Sequence, residues 1–368
     1  MIWLTWRQFR PQAITAAVAL AVMAIVLAAT RPGLVASYTA AGLPACRTHC
    51  AAIASIFIDG VGGLDHVLYF GSIALMYLAP ALMGLFWGAP LIAREVEAGT
   101  HRVAWNQSVT RIRWTLVKLG LVGLAAVATA GLLSLMVTWW ASPIDHAASL
   151  AGGSVQVAAG GGAGVHSSWY VLARLEPVVF AARGVAPLGY AAFAFALGVT
   201  AGVLLRRTLP AMALTLVAFA VIQVLVPNLV RPHLLPPAHV TAPLNVQTAS
   251  YHPTKTVGST AGEIQVTPPN FARPGAWVLS DVIVTPSGAR LTALPKACTF
   301  TVGVAGPGPS ALGDCKSALA AVHLRQSVSY QPASRFWPLQ WIETGIYLVL
   351  AAGLGCVCAW QVRRRRTP

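Results

Sequence analysis

The chain has 368 residues, of which 56% are hydrophobic and only 10% are charged, and its mean hydropathy is +0.67. Soluble globular proteins carry about 25% charged residues, so this composition excludes a soluble enzyme, a disordered protein and an ordinary secreted domain. The 25 Lys and Arg against 10 Asp and Glu give a net charge of +15. Because the basic residues do not form one patch, they favour a membrane protein over a nucleic-acid-binding protein.

Six segments are apolar and long enough to cross the hydrocarbon core of a bilayer, which needs roughly 20 residues per helix. They are residues 13–29, 70–92, 116–140, 185–205, 209–226 and 341–362. The first segment can alternatively be interpreted as a signal peptide with Arg7 and Arg10 as its basic flank. The five apolar segments that follow favour a membrane span. The sequence therefore predicts an all-α polytopic membrane protein.

The basic residues predict the orientation of these spans, because short cytoplasmic loops are enriched in Lys and Arg. Thirteen of the 25 basic residues fall in short stretches that the six spans would place on one side. They are Arg7, Arg10, Arg94, Arg102, Arg111, Arg113, Lys118, Arg206, Arg207, Arg363, Arg364, Arg365 and Arg366. The other twelve are spread over three much longer stretches. Both termini are therefore predicted to be cytoplasmic.

The three long stretches are predicted to lie on the outer side: residues 31–69, 141–184 and 227–340. The Gly- and Ala-rich run 151–164 favours a flexible linker, and the Pro-rich run 227–243 favours an extended one. In the third stretch, β-branched runs at 263–267 and 277–285 are broken by Pro and Gly, which favours strands. The fold prediction is six transmembrane helices, with an extracytoplasmic, partly β domain between helices 5 and 6.

The predicted boundaries follow from this arrangement of spans and connecting segments. They are 1–30 for an N-terminal interfacial segment and the first helix, 31–69 for the first outer segment, 70–92 for the second helix, 93–115 for a cytoplasmic coupling segment, 116–140 for the third helix, 141–184 for a Gly-rich outer segment, 185–205 and 209–226 for the fourth and fifth helices, 227–340 for the outer domain, 341–362 for the sixth helix and 363–368 for a basic cytoplasmic tail.

Four of the six cysteines fall in the predicted outer segments, where disulfides persist. The favoured pairs are Cys46 with Cys50 and Cys298 with Cys315, because each pair lies within one segment. Four cysteines allow three pairings, so a cross-link between the two outer segments is the alternative. A zinc site of Cys46, His49 and Cys50 would lack a second ligand pair at the usual spacing, and the sequence predicts no metal site.

Catalytic and nucleotide-binding motifs are absent from the sequence. It contains no G-x-x-x-x-G-K-[ST], no H-E-x-x-H and no G-x-S-x-G. The pairs Asp65-His66 and Asp145-His146 could supply half of a triad, but no nucleophile accompanies them, and solvated polar groups in outer loops are the favoured interpretation. A membrane-anchored enzyme would need a constellation that is not found, so the chain is predicted not to be an enzyme.

Two features inside the predicted spans carry alternative interpretations. Glu343 lies about one turn inside the sixth helix, where the helix dipole favours a carboxylate. An intramembrane acid is otherwise a candidate functional site. Gly198-x-x-x-Gly202 offers a small-residue face for close helix contact, which predicts packing within the chain or, alternatively, a subunit interface.

The segment between the second and third spans mixes both signs of charge. Residues 93–118 read AREVEAGTHRVAWNQSVTRIRWTLVK, and Glu95 and Glu97 are the only acids in the predicted cytoplasmic part of the chain. The segment is too polar to span and is predicted to lie at the membrane interface. Orientation alone requires only positive charge. A mixed-charge segment suits docking to a partner protein.

This segment resembles a known family. The pattern Glu95-x-Glu97-x-Gly99-Thr100, then Val109-Thr110-Arg111 and Lys118, is similar to the loop of type-2 ABC transporter permeases. Three further stretches resemble the actinobacterial branch of those permeases: residues 86–114 (opening with FWGAP), 4–8 (LTWRQ) and 331–337 (QPASRFW). Many members carry a Pro before the Ser/Thr-Arg of this loop, where the present chain has Val109. This departure bears on the docking surface.

The resemblance implies a permease subunit in a bacterial plasma membrane: one half of a dimer, identical or paired with another permease, with a separate cytoplasmic ABC ATPase on each subunit. The implied ATPase-coupling residues are Glu95, Glu97, Gly99, Thr100, Arg102, Arg111 and Lys118. ATP and Mg²⁺ would bind to the partner ATPase, so this chain is expected to bind no cofactor.

Membrane lipid and the ATPase are the expected partners, and nucleic acid is not. Apolar spans favour export of an amphiphilic or hydrophobic compound. The alternative is a sensor or immunity subunit, in which the outer domain binds an extracellular peptide and the spans relay that event.

Overall fold

The computed structural model describes the chain except for residues 1, 49, 98–110, 152–154, 159–167, 172, 248, 256–260, 268–272, 292, 302–308 and 365–368. The chain forms two compact units. The first comprises Met1–Leu235 and Ser334–Pro368, and the second comprises Pro236–Ala333.

Helices dominate the first unit, and one further helix lies in the second. In chain order they are α1 (Ile2–Ala40), α2 (Cys50–Gly60), α3 (Gly63–Met83), α4 (Ala89–Glu97), α5 (Arg111–Leu150), α6 (Pro177–Phe180), α7 (Ala186–Leu205), α8 (Thr208–Leu225), α9 (Pro309–Ala321) and α10 (Phe336–Arg364). Two π-helical turns, Gly84–Gly88 and Val226–Val230, extend α3 and α8.

Six of these helical stretches are long and apolar enough to cross a membrane, which confirms the predicted number of spans. Spans 1 to 6 are Thr5–Ala40, Gly63–Glu95, Arg113–Leu150, Ala186–Leu205, Thr208–His233 and Ala333–Arg364. Most of the helices run past the apolar segments because backbone hydrogen bonding continues into their polar ends. The chain is therefore a polytopic membrane protein.

Two of the predicted linkers were wrong in part. Residues 227–233 are helical rather than extended. The π-turn Val226–Val230 continues α8, and Pro232 is the second residue of the short 3-10 turn Arg231–His233, where proline costs little. Val155–Ala158, inside the predicted flexible run, forms strand β1, which pairs antiparallel with β2 (Ser168–Val171). The predicted interfacial segment before span 1 is continuous with α1 from Ile2.

Span 4 is the most deeply buried of the six spans, and it packs closely against span 2. A Cβ atom on Gly84 would lie 2.6 Å from the carbonyl oxygen of Ala194, and one on Gly202 would lie 2.5 Å from that of Ala89. Only glycine allows backbones to approach this closely. Gly198 meets the Gly84 carbonyl in the same interface, so the small-residue face serves packing within the chain.

Span 1 is attached mainly through span 3. Only 6% of its most apolar window is buried. The indole Nε1 of Trp140 donates to the hydroxyl oxygen of Thr30 over 2.9 Å, and the guanidinium of Arg31 lies 4.0 Å from the centre of the Trp139 ring. Most of span 1 is therefore not covered by the other described parts of the chain.

Residues 173–185, here named the buried connector, lead into span 4 as irregular, largely buried backbone. Irregular backbone at this depth needs partners from the surrounding protein. Gln340 of span 6 donates to the Phe180 carbonyl at 2.9 Å and accepts the N–H of Ala186 at 2.7 Å. Ser134 of span 3 donates to the Gly184 carbonyl at 2.6 Å. Spans 3 and 6 thus each donate a hydrogen bond to the connector's backbone.

The second unit confirms the predicted partly β domain. Its described strands form two antiparallel three-stranded sheets, in the orders β3-β8-β6 and β4-β5-β7. The strands are β3 (Ala238–Pro243), β4 (Ser250–Lys255), β5 (Ala261–Thr267), β6 (Trp277–Val284), β7 (Thr299–Thr301) and β8 (Arg325–Gln331). Both predicted β runs are strands, β5 and β6.

Both predicted disulfides are present in the structure, Cys298–Cys315 in the second unit and Cys46–Cys50 in the first. The first of these pairs lies in the core of the second unit beside Ile264 and Leu319. A disulfide also removes the thiolates that the alternative zinc site would have needed, since a metal binds the deprotonated sulfur.

Candidate functional site

Glu95 joins three spans at the end of the bundle that carries the chain termini. It lies at the end of span 2 and forms an ion pair with Lys118 of span 3, whose side chain is buried. The Gln8 amide of span 1 donates to the same carboxylate oxygen over 3.2 Å. The Lys118 ammonium also lies 4.5 Å from the centre of the Trp114 ring. Glu95 therefore provides a negatively charged partner for the buried Lys118 ammonium.

Glu97 binds the start of span 5. Its carboxylate accepts the backbone N–H of Thr208 at 2.9 Å and the Thr208 hydroxyl at 2.5 Å. The first N–H groups of a helix have no partner within the helix, and the helix dipole favours an anion there. These hydrogen bonds, with a smaller contribution from Arg207, lower the pKa of the exposed Glu97 carboxyl. The side chain is thus a carboxylate at neutral pH.

Four further residues belong to the predicted coupling set. Gly99, Thr100 and Arg102 lie outside the described residues, and Arg111 is the first residue of α5. Glu95 and Glu97, expected as charges presented to a partner, each have a partner inside the chain instead. The ATPase-coupling role of this whole set stays a prediction.

A cavity of about 890 Å³ opens beside these contacts. Its walls come from spans 1, 2, 3 and 5 and include both polar and aromatic side chains. The polar residues are Thr5, Gln8, Gln12, Arg94, Glu95, Glu97, Lys118 and Thr208.

Glu343 is completely buried, and the structure gives it a charged partner. Arg231, also completely buried, donates from Nε to one carboxylate oxygen at 2.7 Å and from Nη2 to the other at 2.8 Å. The Tyr190 hydroxyl donates to the second oxygen at 2.5 Å. The fork of the guanidinium matches both carboxylate oxygens. Glu343 is therefore half of a bidentate ion pair that joins spans 5 and 6, and neither sequence interpretation described it.

The same arginine holds the buried connector. Its Nη1 donates to the Pro177 carbonyl at 3.2 Å, and its guanidinium lies 4.2 Å from the centre of the Phe180 ring. Arg231 is thus the point at which span 5, span 6 and the connector meet.

A second buried ion pair lies at the same end of the bundle. Arg183 of the connector donates from Nε to Asp145 of span 3 at 2.9 Å, and both side chains are almost completely buried. Tyr69 of span 2 donates to the other Asp145 oxygen at 3.3 Å. The expectation that Asp145 is a solvated loop residue was wrong, because α5 continues to Leu150 and carries Asp145 into the packed bundle.

Glu176 adds a titratable group to the connector. Burial raises the pKa of its carboxyl to about 6, because removal from water disfavours the charged form. It directly precedes Pro177, which begins α6.

Sequence reasoning missed Arg231, Arg183 and Tyr190 as partners of these acids. A lone intramembrane acid does demand a partner, since an unpaired buried charge is costly. The need for a partner does not identify which arginine provides it. Arg231 and Glu343 are 112 residues apart in sequence.

Comparison with known proteins adds to this geometry. The model of the ABC-2 membrane transporter related family matches residues 17–231, more than half of the chain. The chain belongs to the ABC-2 membrane transporter related family. A search of curated proteins and a search of solved structures each returned no match.

Membership of the ABC-2 membrane transporter related family confirms the predicted resemblance to type-2 ABC permeases. The match begins inside span 1 and ends at Arg231. Three of the four residues in the buried ion pairs lie within it, and Glu343 lies beyond it.

Proposed function

We propose that this chain is the membrane-spanning permease subunit of an ATP-driven ABC exporter, which moves an amphiphilic or hydrophobic compound. Family membership supports transport over the alternative of a sensor or immunity subunit. The sequence has no phosphate-binding loop, so a separate ABC ATPase would bind ATP and Mg²⁺ and hydrolyse the nucleotide. This proposal makes the chain a non-enzymatic component of the complex.

The proposed complex lies in a bacterial plasma membrane with both termini of the chain in the cytoplasm. The clustering of basic residues at the ends of spans supports this orientation. The permease would act as a homodimer or with a second permease, each subunit contacting an ATPase through the segment between spans 2 and 3.

The observation that carries the proposal is a pair of contacts at the helix end that directly precedes residues 98–110. Glu95 connects span 2 to Gln8 of span 1 and to Lys118 of span 3. Glu97 connects the same helix end to Thr208 of span 5. A protein that pushes on this segment therefore acts on four spans at once. Such a force can tilt packed helices as a unit.

The experiment must separate coupling from folding. Reversing Glu95 would leave the buried Lys118 ammonium unpaired, so its effect on the fold would mask any effect on the partner. Glu97 is exposed, so Glu97→Lys is the informative variant. Asp59→Lys is the matched control, because Asp59 is an exposed acid in α2.

The tagged chain is purified from its native membrane, and co-purifying ATPase is measured by mass spectrometry and by ATP hydrolysis. We expect an ABC ATPase with the wild type and with Asp59→Lys. Glu97→Lys should insert normally and lose stimulation of hydrolysis by more than tenfold, because it removes the contact with Thr208 and places a like charge near Arg207. Failure to recover any ABC ATPase, or unchanged stimulation in Glu97→Lys, would refute the proposal.

A further inference from the structure

Two cavities meet between span 1 and its neighbours. The larger, about 890 Å³, has the polar wall described above. The smaller, about 220 Å³, lies deeper along span 1 and is lined almost entirely by apolar side chains of spans 1, 2 and 3. Phe86 and Trp87 line both cavities. The two cavities therefore adjoin at these two side chains, and together they are here named the crevice, with a polar end and an apolar end.

On span 1 the apolar end is lined by two small side chains, Ala16 and Ala19, and by two larger ones, Leu20 and Met23. Ala16 and Ala19 face Leu75, Ala79 and Met83 of span 2 across it. Their short side chains leave a groove where longer ones would close it. Hydrocarbon is the chemistry that such a wall accepts, because it offers dispersion contacts and almost no hydrogen-bonding group.

Among the described residues, the polar contacts of span 1 with other spans lie towards its two ends. Gln8 makes its contact with Glu95 at one end, and Thr30 accepts from Trp140 at the other. Between Gln8 and Thr30, every residue is described, and none makes a polar contact with another span. A molecule can therefore lie lengthwise between span 1 and span 2 without displacing a hydrogen bond.

The polar end has one charge available to a ligand. The acids already have partners, Glu95 in Lys118 and Gln8, and Glu97 in Thr208. Arg94 also lines the cavity and is exposed. Across the described ranges it forms no hydrogen bond or ion pair. A guanidinium binds carboxylate and phosphate oxygens with paired N–H groups.

We infer that this crevice binds a single-chain anionic amphiphile, with its head on Arg94 and its hydrocarbon chain in the groove between spans 1 and 2. The head can be a carboxylate, as in a free fatty acid, or a phosphate, as in a lipid headgroup, since both present paired anionic oxygens. Binding needs only this chain, so the inference stands apart from the proposed partner ATPase.

The size of the crevice agrees with this assignment. Small-molecule sites span roughly 300–1,000 Å³, and the larger cavity alone lies within that range. Gln12 lines the same cavity as Arg94, and its amide can donate a further hydrogen bond to an anionic head.

The test uses the full chain in nanodiscs of zwitterionic lipid. Three photoactivatable probes share one alkyl chain length and carry a carboxylate, a phosphate or a trimethylammonium head. Labelled peptides are mapped by mass spectrometry, and dissociation constants are measured by competition. We expect the carboxylate probe, the phosphate probe or both to label peptides around Met83 and Trp87, and the trimethylammonium probe to bind there at least tenfold more weakly.

Two matched pairs of variants locate the head and the tail. Arg94→Gln should raise the dissociation constant of the anionic probes about tenfold, the loss expected for one charge-assisted hydrogen bond, and Arg10→Gln should not, because Arg10 is an exposed cation outside the cavity wall. Ala16→Phe should suppress labelling by filling the groove. Ala17→Phe adds the same ring to an exposed position that does not line it.

The comparison between the two anionic probes identifies the source of the head, and binding of either one supports the inference. Equal labelling by the trimethylammonium probe would overturn it. So would equal dissociation constants for Arg94→Gln and Arg10→Gln, or full labelling of Ala16→Phe at the mapped peptides.

Discussion

The two ends of the helical bundle hold their charges in opposite ways. At the end with the chain termini, Glu97 is exposed and Glu95 is only partly buried, with its side chain 19% accessible. At the other end, Glu343 and Arg231 are completely buried. Acids therefore lie at or near water at one end, where only the Lys118 cation is buried, and both members of the ion pair are buried at the other.

This difference in solvation sets what each end can do. Exposed ion pairs contribute about 0–1 kcal/mol, because water competes with the partner. Breaking a buried pair leaves an uncompensated charge and costs about 3–5 kcal/mol. The contacts around the connector therefore fix the spans rigidly, whereas the contacts around Glu97 can open and close at small cost. An end of the bundle that receives a partner protein benefits from contacts that open and close at small cost.

The strongest test of this comparison removes one side of the buried pair. We expect Arg231→Leu to lower the free energy of unfolding by about 3–5 kcal/mol, because Glu343 would remain charged and buried. Denaturation of the detergent-solubilised protein, followed by loss of helical circular dichroism, measures the change. The double variant Arg231→Met, Glu343→Leu serves as the control and should recover most of the stability, since it removes both charges. A single variant as stable as the wild type would contradict the assigned pair.

A smaller loss is expected at the opposite end. Glu95→Gln weakens the contact with Lys118 but keeps a hydrogen-bonding group beside it, so the free energy of unfolding should fall by about 1 kcal/mol. The same denaturation experiment applies. Glu97→Gln is the matched variant, and its midpoint should equal that of the wild type. If Glu95→Gln proved as damaging as Arg231→Leu, the contrast between the two ends would disappear.

The smallest effect concerns pH and the buried connector. Because burial raises the pKa of Glu176 to about 6, above its unfolded value of about 4.3, the folded state binds the proton more tightly. The stabilisation that comes from keeping Glu176 protonated in the folded state is fully present below pH 4.3 and is lost as the pH rises through 6. We expect a loss of about 1 kcal/mol or less, given the partial exposure of this group.

Melting temperatures at pH 5 and pH 7.5 measure that change. Glu176→Gln should remove this part of the pH dependence, whereas the matched variant Asp59→Asn should keep it. A pH dependence that is identical in all three proteins would exclude Glu176 as its source.

The sequence predicted the spans well because a bilayer imposes a length and an apolar composition on each helix. It predicted both disulfides because each pair lies in one segment. The partners of Glu343 and Asp145 were beyond its reach, since they depend on how distant helices pack. The placement of Asp145 in a solvated loop failed for a related reason, because hydropathy marks the apolar part of a helix and not its end.

The π-helical turn at Gly84–Gly88 has a consequence for the rotational phase of span 2. A π-turn is equivalent to one extra residue in an α-helix, and each residue rotates the helix by about 100°. Winding the same five residues as a regular α-helix, with no residue deleted, would rotate α4 by roughly that angle about its own axis. Glu95 and Glu97 would then face away from Lys118 and Thr208 while every side chain remained in the protein. The turn thus sets the angular alignment of this helix end as firmly as the charges that meet there.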